Sequence, residues 1–185
     1  MRIIAGKYKG HVIHAPKAIP ARPTTDRSKE SLFNILLNKM DLEGIRVLDL
    51  FSGTGNMAYE FASRGAKEVI AVDQNATAVR FISDTFKKLG VEGRVVRANA
   101  MSYHKKVQES FDLIFADPPY ALKGIAELPQ AVLESQALEV GGWFIMEHGT
   151  QLKPGNEYLT EQRVYGQSAF SFYQKTPTFD QILES

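Results

Sequence analysis

The chain has 185 residues, 44% hydrophobic and 23% charged, enough for one domain with a buried core. It has no cysteine, which excludes a disulfide framework and any thiolate metal site. The net charge of +1 conceals an asymmetry: Arg2, Lys7, Lys9, Lys17, Arg22, Arg27 and Lys29 face only Asp26 and Glu30 in residues 1–31, and the rest is mildly acidic. A basic arm on an acidic body points to a polyanionic partner.

Residues 1–21 hold two short apolar runs, Arg2–Ala5 and Lys9–His14, broken by Gly6, Pro16 and Pro20; they predict two short strands joined by a turn. Thr25 or Asp26 then caps a helix over Ser28–Lys39, with Leu32, Phe33, Leu36 and Leu37 at helical spacing. Ile45–Phe51 is nearly all apolar, the mark of a strand buried on both faces. The glycine loop Ser52-Gly53-Thr54-Gly55 follows, then a helix over Asn56–Arg64 and a second strand, Glu68–Val72, ending in Asp73. A helix over Ala76–Leu89 closes at Gly90, and Arg94–Arg97 is a third strand. Beyond it the pattern predicts a short helix at Ser102–Gln108, a strand at Phe111–Ala116, a helix at Ile125–Ser135 and a strand at Trp143–Glu147 introduced by Gly141-Gly142. Two late strands, Gln162–Tyr165 and Ala169–Gln174, have no helix between them.

This alternation predicts an α/β fold: a doubly wound, Rossmann-like sheet of seven strands, mostly parallel, with one antiparallel strand inserted by the closing hairpin. The expected organisation is a basic β-hairpin extension over 1–25, one domain over 26–175 and a tail over 176–185. No apolar run approaches the ~20 residues of a membrane span, and the first residues carry charges where a signal peptide is apolar. A cytoplasmic monomer is expected, with no membrane partner.

In such sheets ligands sit outside the carboxyl ends of the strands, where the chain's motifs fall. Gly53-Thr54-Gly55-Asn56-Met57-Ala58 matches a dinucleotide fingerprint, but Asp49 lies in the strand just before it. A carboxylate there repels a pyrophosphate. It favours S-adenosylmethionine (AdoMet), whose sulfonium and amino group are both cationic. Asp73 is placed to hold ribose hydroxyls, or to cap the helix that follows. Asn99-Ala100 is placed to meet an adenine edge.

Asp117-Pro118-Pro119-Tyr120 follows a buried strand directly. Two prolines fix φ and remove two N–H donors, leaving a stiff backbone. A fixed carboxylate and the Pro118 carbonyl then suit the two hydrogens of a planar amino group, and Tyr120 offers a stacking face. Holding both N–H bonds aims the nitrogen lone pair at a methyl group, with Asp117 or water taking the proton. No metal is needed.

Asp-Pro-Pro-Tyr resembles the motif of methyltransferases acting on the amino groups of nucleic-acid bases. The chain as a whole resembles the RsmD-type bacterial guanine-N2 methyltransferases of small-subunit ribosomal RNA. The resemblance rests on residues 1–10 (Met1-Arg2-Ile3-Ile4-Ala5-Gly6-Lys7-Tyr8-Lys9-Gly10), Arg22-Pro23-Thr24-Thr25-Asp26-Arg27 with Glu30 and Leu32-Phe33-Asn34, residues 49–55, Asn99-Ala100-Met101 and residues 117–120. It implies methylation of guanine N2 in 16S rRNA, on the small subunit or an assembly intermediate. The implied cofactor residues are Thr24, Thr25, Asp49, Phe51, Gly53, Gly55, Asp73, Asn99 and Ala100. Arg2, Lys7, Lys9, Arg22, Arg27 and Lys29 would hold RNA, with Arg22–Asp26 closing over cofactor and base.

Other readings stay open: another nucleic acid or a protein glutamine as methyl acceptor, an NAD-dependent oxidoreductase, or a non-catalytic RNA-binding module. His11 and His14 point to opposite faces of a strand and lack partners for a metal. Glu147-His148 reads as a pair satisfying local contacts, and Trp143 with the aromatics of 165–173 reads as core.

Overall fold

The computed structural model describes residues 1–20 and 25–177. The chain divides into two compact units, one ending at Ala100 and the other beginning at Met101. Between them they carry the seven strands of the expected mixed sheet.

In the first unit, α1 (Asp26–Leu37) starts at Thr25, whose hydroxyl accepts from Ser28 N at 3.1 Å. Its apolar face buries Leu32, Phe33 and Leu36 completely. β1 (Arg46–Leu50), α2 (Asn56–Ser63), β2 (Glu68–Asp73), α3 (Ala76–Leu89) and β3 (Gly93–Arg97) follow, with α4 (Ala100–Tyr103) opening at the boundary. The strands are parallel in the order β3-β2-β1, with Leu50 beside Val72 and Asp73 beside Arg97. That register brings the three carboxyl ends to one edge. β1 and β2 are buried on both faces, which is why their sequences read as nearly continuous apolar runs. α3 is capped by Asn75, whose side chain accepts from Thr77 N and Ala78 N, and ends at left-handed Gly90.

The two strands expected at the N-terminus reduce to a single antiparallel bridge, Arg2 with Val12. The reason is competition for backbone donors. Ile4 N and Ala5 N donate to the Glu60 carboxylate (2.9 and 3.2 Å), Lys7 N to Ser63 O and Tyr8 N to Ser63 Oγ. A side chain on Gly6 would also strike Ser63 O, its Cβ only 1.7 Å away. Residues 1–20 are therefore tied to the last turns of α2 within the first unit, not a free-standing hairpin.

The second unit contains β4 (Phe111–Ala116), α5 (Leu128–Leu133), β5 (Leu138–Gly149), β6 (Leu159–Tyr165) and β7 (Ser168–Gln174). The strand order is β4-β5-β7-β6; β4 and β5 are parallel, and β7 runs antiparallel to both its neighbours, as the closing hairpin predicts. The aromatic stretch is core: Phe144, Phe170, Phe172 and Tyr173 are fully buried and Trp143 nearly so.

Three elements depart from their expected limits. α5 begins at Leu128, because Pro129 has no N–H and fits only a first turn. α4 is four residues, and the rest of the expected helix continues as turns through Lys106 N–Tyr103 O and its neighbours. β5 runs through Gly141-Gly142 and does not start after them. Gly141 N and Gly142 O pair with Lys175, and a Cβ on Gly142 would stand 2.8 Å from Glu139 O.

Candidate active site

Of the cofactor residues expected from the sequence, Asp49, Phe51, Gly53, Gly55, Asp73, Asn99 and Ala100 lie at or just beyond the carboxyl ends of the first unit's strands. Phe51 leaves β1 with φ +60°, the only positive φ of a non-glycine residue among those described. Ser52, which sequence reasoning did not single out, holds the turn. Its N–H donates to Val72 O, its hydroxyl donates to Asp49 O at 2.7 Å, and the same oxygen accepts from Val72 N at 2.9 Å. Gly55 N then closes on Ser52 O at 2.7 Å. Gly55 must be glycine twice over: its φ is +80°, and a Cβ would stand 2.7 Å from the Tyr59 hydroxyl. Tyr59 is fully buried, and burial raises its phenol above the usual tyrosine range.

Asp49 is 1% exposed, and its Oδ2 finds no hydrogen-bond partner among the described residues. Burial pushes its carboxyl up to about 7, and the Asp73 charge adds to this; hydrogen bonds from Ser52 and the Ala58 backbone act in the opposite sense. A buried carboxylate with an open lone pair resists a second anion and gains from a cation. The residues fit a cationic cofactor better than a pyrophosphate.

Asp73 clamps the loop. Its Oδ2 accepts from Gly53 N and its Oδ1 from Asn75 N, both at 2.8 Å. Each oxygen keeps a second lone pair for ribose hydroxyls. The cap of α3, the alternative role for Asp73, is supplied by Asn75. Asn99 is exposed just before Ala100, which is buried. Thr25 is committed to capping α1, and Thr24 and Arg22 lie outside the described residues.

One expected RNA contact is corrected. Lys29 is 1% exposed, and its ammonium reaches Glu60 Oε2 at 3.0 Å, Asn56 Oδ1 at 2.9 Å and Arg2 O at 2.7 Å. Burial lowers its pKa despite the Glu60 charge beside it. Lys29 joins α1 and the N-terminal segment to Asn56, the first residue of α2 after the glycine loop, and has no charge to offer a phosphate. Arg2, Lys7, Lys9 and Arg27 are exposed, as a polyanion contact requires, with Arg2 also paired to Asp26 at 2.9 Å.

In the second unit, Asp117-Pro118-Pro119-Tyr120 leaves the end of β4. Pro118 is buried, Asp117 and Tyr120 are half-buried and Pro119 is exposed. Leu122 N closes a turn on Pro119 O at 2.9 Å. The Tyr120 ring packs on Gly149, where β5 ends. His148 is fully buried and serves local contacts, its two nitrogens 2.9 Å from Gly149 O and 2.7 Å from Ser171 Oγ. Among the described residues no cluster of His, Asp and Glu could hold a metal ion, and no helix is long and apolar enough to cross a membrane.

A parallel α/β sheet with a glycine loop after its first strand, an acid ending its second and an Asp-Pro-Pro-Tyr turn after its fourth defines a Rossmann-like methyltransferase. The solved structure of the Escherichia coli protein yhhF superposes with a TM-score of 0.83 at 26% identity, covering 96% of this chain and 99% of that one. The family described as conserved hypothetical protein 95 matches residues 1–174. The chain belongs to that family, the RsmD family of methyltransferases. Ribosomal RNA small subunit methyltransferase D of Escherichia coli strain K12 is 30% identical over 186 residues, spanning 95% of this chain and 90% of that protein. Bacillus subtilis YlbH is 33% identical over 184 residues, spanning 95% and 99% respectively.

Proposed function

We propose that the protein transfers a methyl group from AdoMet to the exocyclic N2 of a guanine in 16S rRNA. It acts as a monomer on the small ribosomal subunit or a late assembly intermediate. The observation that carries this reading is the Asp117–Tyr120 turn at the end of β4, in a chain whose residues 1–174 match the family. The small-subunit rRNA substrate named for the Escherichia coli relative supports the choice of acceptor.

AdoMet supplies an electrophilic methyl group on a sulfonium when bound. Asp49 offers the open, buried oxygen that a cation neutralises. Asp73 holds ribose hydroxyls with the lone pairs that Gly53 and Asn75 leave over. Gly53, Gly55 and Phe51 shape the loop, and Asn99 and Ala100 meet the adenine.

Asp117 and the Pro118 carbonyl accept the two N–H bonds of the guanine amino group. Its lone pair is normally delocalised into the ring, and holding both hydrogens localises it for transfer. Pro119 keeps the turn stiff, and Tyr120 stacks the base once it has left its neighbours. The methylated amine is strongly acidic, and Asp117 or water takes its proton. Arg2, Lys7, Lys9, Arg22 and Arg27 contact RNA phosphates.

The test is label transfer from AdoMet to small subunits lacking the modification, with free 16S rRNA, tRNA and duplex DNA in parallel. Labelled subunits, and loss of label with Asp117→Ala, are the expected result. Label on tRNA or DNA alone would move the acceptor elsewhere, and none on any of them would refute the reading.

A further inference from the structure

Gly149 is a glycine for a reason its own backbone does not supply. Its φ lies outside the left-handed region, so an alanine fits the main chain there. The three nearest atoms to where a Cβ would go all belong to the ring of Tyr120, with Cδ2 at 2.9 Å, Cε2 at 3.2 Å and Cγ at 3.5 Å. A methyl group at this position would push the Tyr120 ring out of its place.

The strand end that forms this seat is itself held by a chain of hydrogen bonds across three strands. Gly149 O accepts from Leu152 N at 3.0 Å and from His148 Nδ1 at 2.9 Å. With Nδ1 donating, the neutral imidazole must accept at Nε2, so the Ser171 hydroxyl on β7 donates to it across 2.7 Å. Ser171 Oγ in turn accepts from Gln162 Nε2 on β6 at 3.0 Å. His148 and Ser171 are both fully buried, and burial lowers the imidazole's pKa, which keeps that tautomer neutral. Backbone pairing of Gly149 with Ser168 completes the anchorage.

We infer that Gly149, braced by His148, Ser171 and Gln162, is a positioning residue that sets where the Tyr120 ring stands and so how well the target base is held. The inference rests on the stacking role given to Tyr120 above. Gly149 touches no substrate; it acts through the ring alone.

That dependence makes the test a double-mutant cycle of Gly149→Ala and Tyr120→Ala, read as kcat/KM on small subunits, AdoMet affinity, melting temperature and the Tyr120 ring NMR shifts of the Gly149→Ala protein. Removing a base stack costs roughly 5- to 150-fold in Tyr120→Ala. The expected Gly149→Ala effect is a severalfold loss, mostly in KM, with displaced Tyr120 shifts and unchanged AdoMet affinity and melting temperature. In the Tyr120→Ala background the same substitution should have no further effect. Equal losses in both backgrounds, or unmoved ring shifts, would overturn the inference. Displaced ring shifts with wild-type activity in both single variants would instead refute the stacking role, leaving the seat itself intact.

Discussion

Lowering the pH should weaken AdoMet binding through one residue, Asp49. Its carboxyl titrates at about 7 against 3.8 when unperturbed, because it is buried and its Oδ2 has no partner among the described residues. If the cofactor's cations require the ionised form, binding below that pH must release a proton. Affinity should then fall about tenfold per pH unit well below 7, and roughly 50-fold between pH 7 and pH 5. AdoMet's own groups do not titrate in that window, since its α-amino group ionises near ~8 and its carboxyl below ~4. Isothermal titration in buffers of different ionisation enthalpy measures both the affinity and the proton count, expected at about 0.9 near pH 6. Asp49→Asn should bind more weakly at pH 8 and show a flat profile. A flat profile in the wild type, or an unchanged slope in Asp49→Asn, would refute the reasoning. The same shift bears on stability with a definite sign. The folded pKa is raised from 3.8 to about 7, so the stabilisation is complete below 3.8 and is lost as pH rises through about 7. Free protein should therefore melt lower at pH 8 than at pH 5 on this account, by a term of roughly 2–3 kcal/mol, and AdoMet should offset the loss.

Gly55→Ala forces a Cβ to 2.7 Å from the Tyr59 hydroxyl at a φ of +80°, and should cost about 1–3 kcal/mol in urea unfolding together with most AdoMet affinity. Lys29→Met removes one of the two cations on the buried Glu60 carboxylate, which keeps Arg64 Nε at 2.9 Å and the Ile4 and Ala5 N–H groups, and should cost about 1–3 kcal/mol by the same measurement, whereas Lys7→Met should change stability by no more than about 0.5 kcal/mol. RNA titrations at several salt concentrations should show the reverse order, with the salt slope falling by about 1 in Lys7→Met. His104 is 2% exposed with neither ring nitrogen partnered among the described residues, and burial lowers its pKa to about 4. Its depressed pKa gives stability that is complete above 6.5 and lost as pH falls toward about 4, so His104→Phe should flatten the acid limb of a stability profile.

What was legible in the sequence was what local chemistry dictates. β1 and β2 could be read because strands buried on both faces are apolar at most positions, and α3 because Gly90 closes it where the helical period stops. Asp49 stood out as a charge inside such a run, and the Asp-Pro-Pro-Tyr turn as two consecutive prolines after one. Long-range competition was not legible. Nothing near Lys29 shows that Glu60 and Asn56 will enclose it from 27 or more residues away. Nor does the N-terminal segment show that its N–H groups will go to Glu60 and Ser63 and not to a partner strand. Gly149 reads as an ordinary strand end until the Tyr120 ring is found against it. The length of β5 was hidden for a related reason: Gly141-Gly142 is turn-like by composition, but Lys175 pairs with both glycines and keeps them in the strand.

The central claim is a guanine N2 held by Asp117, and mass-spectrometric nucleoside analysis of 16S rRNA from small subunits incubated with AdoMet tests it most directly. N2-methylguanosine, formed by the wild-type protein and absent with Asp117→Ala, is the predicted result. A methylated adenosine or cytidine, or N2-methylguanosine that persists with Asp117→Ala, would contradict it.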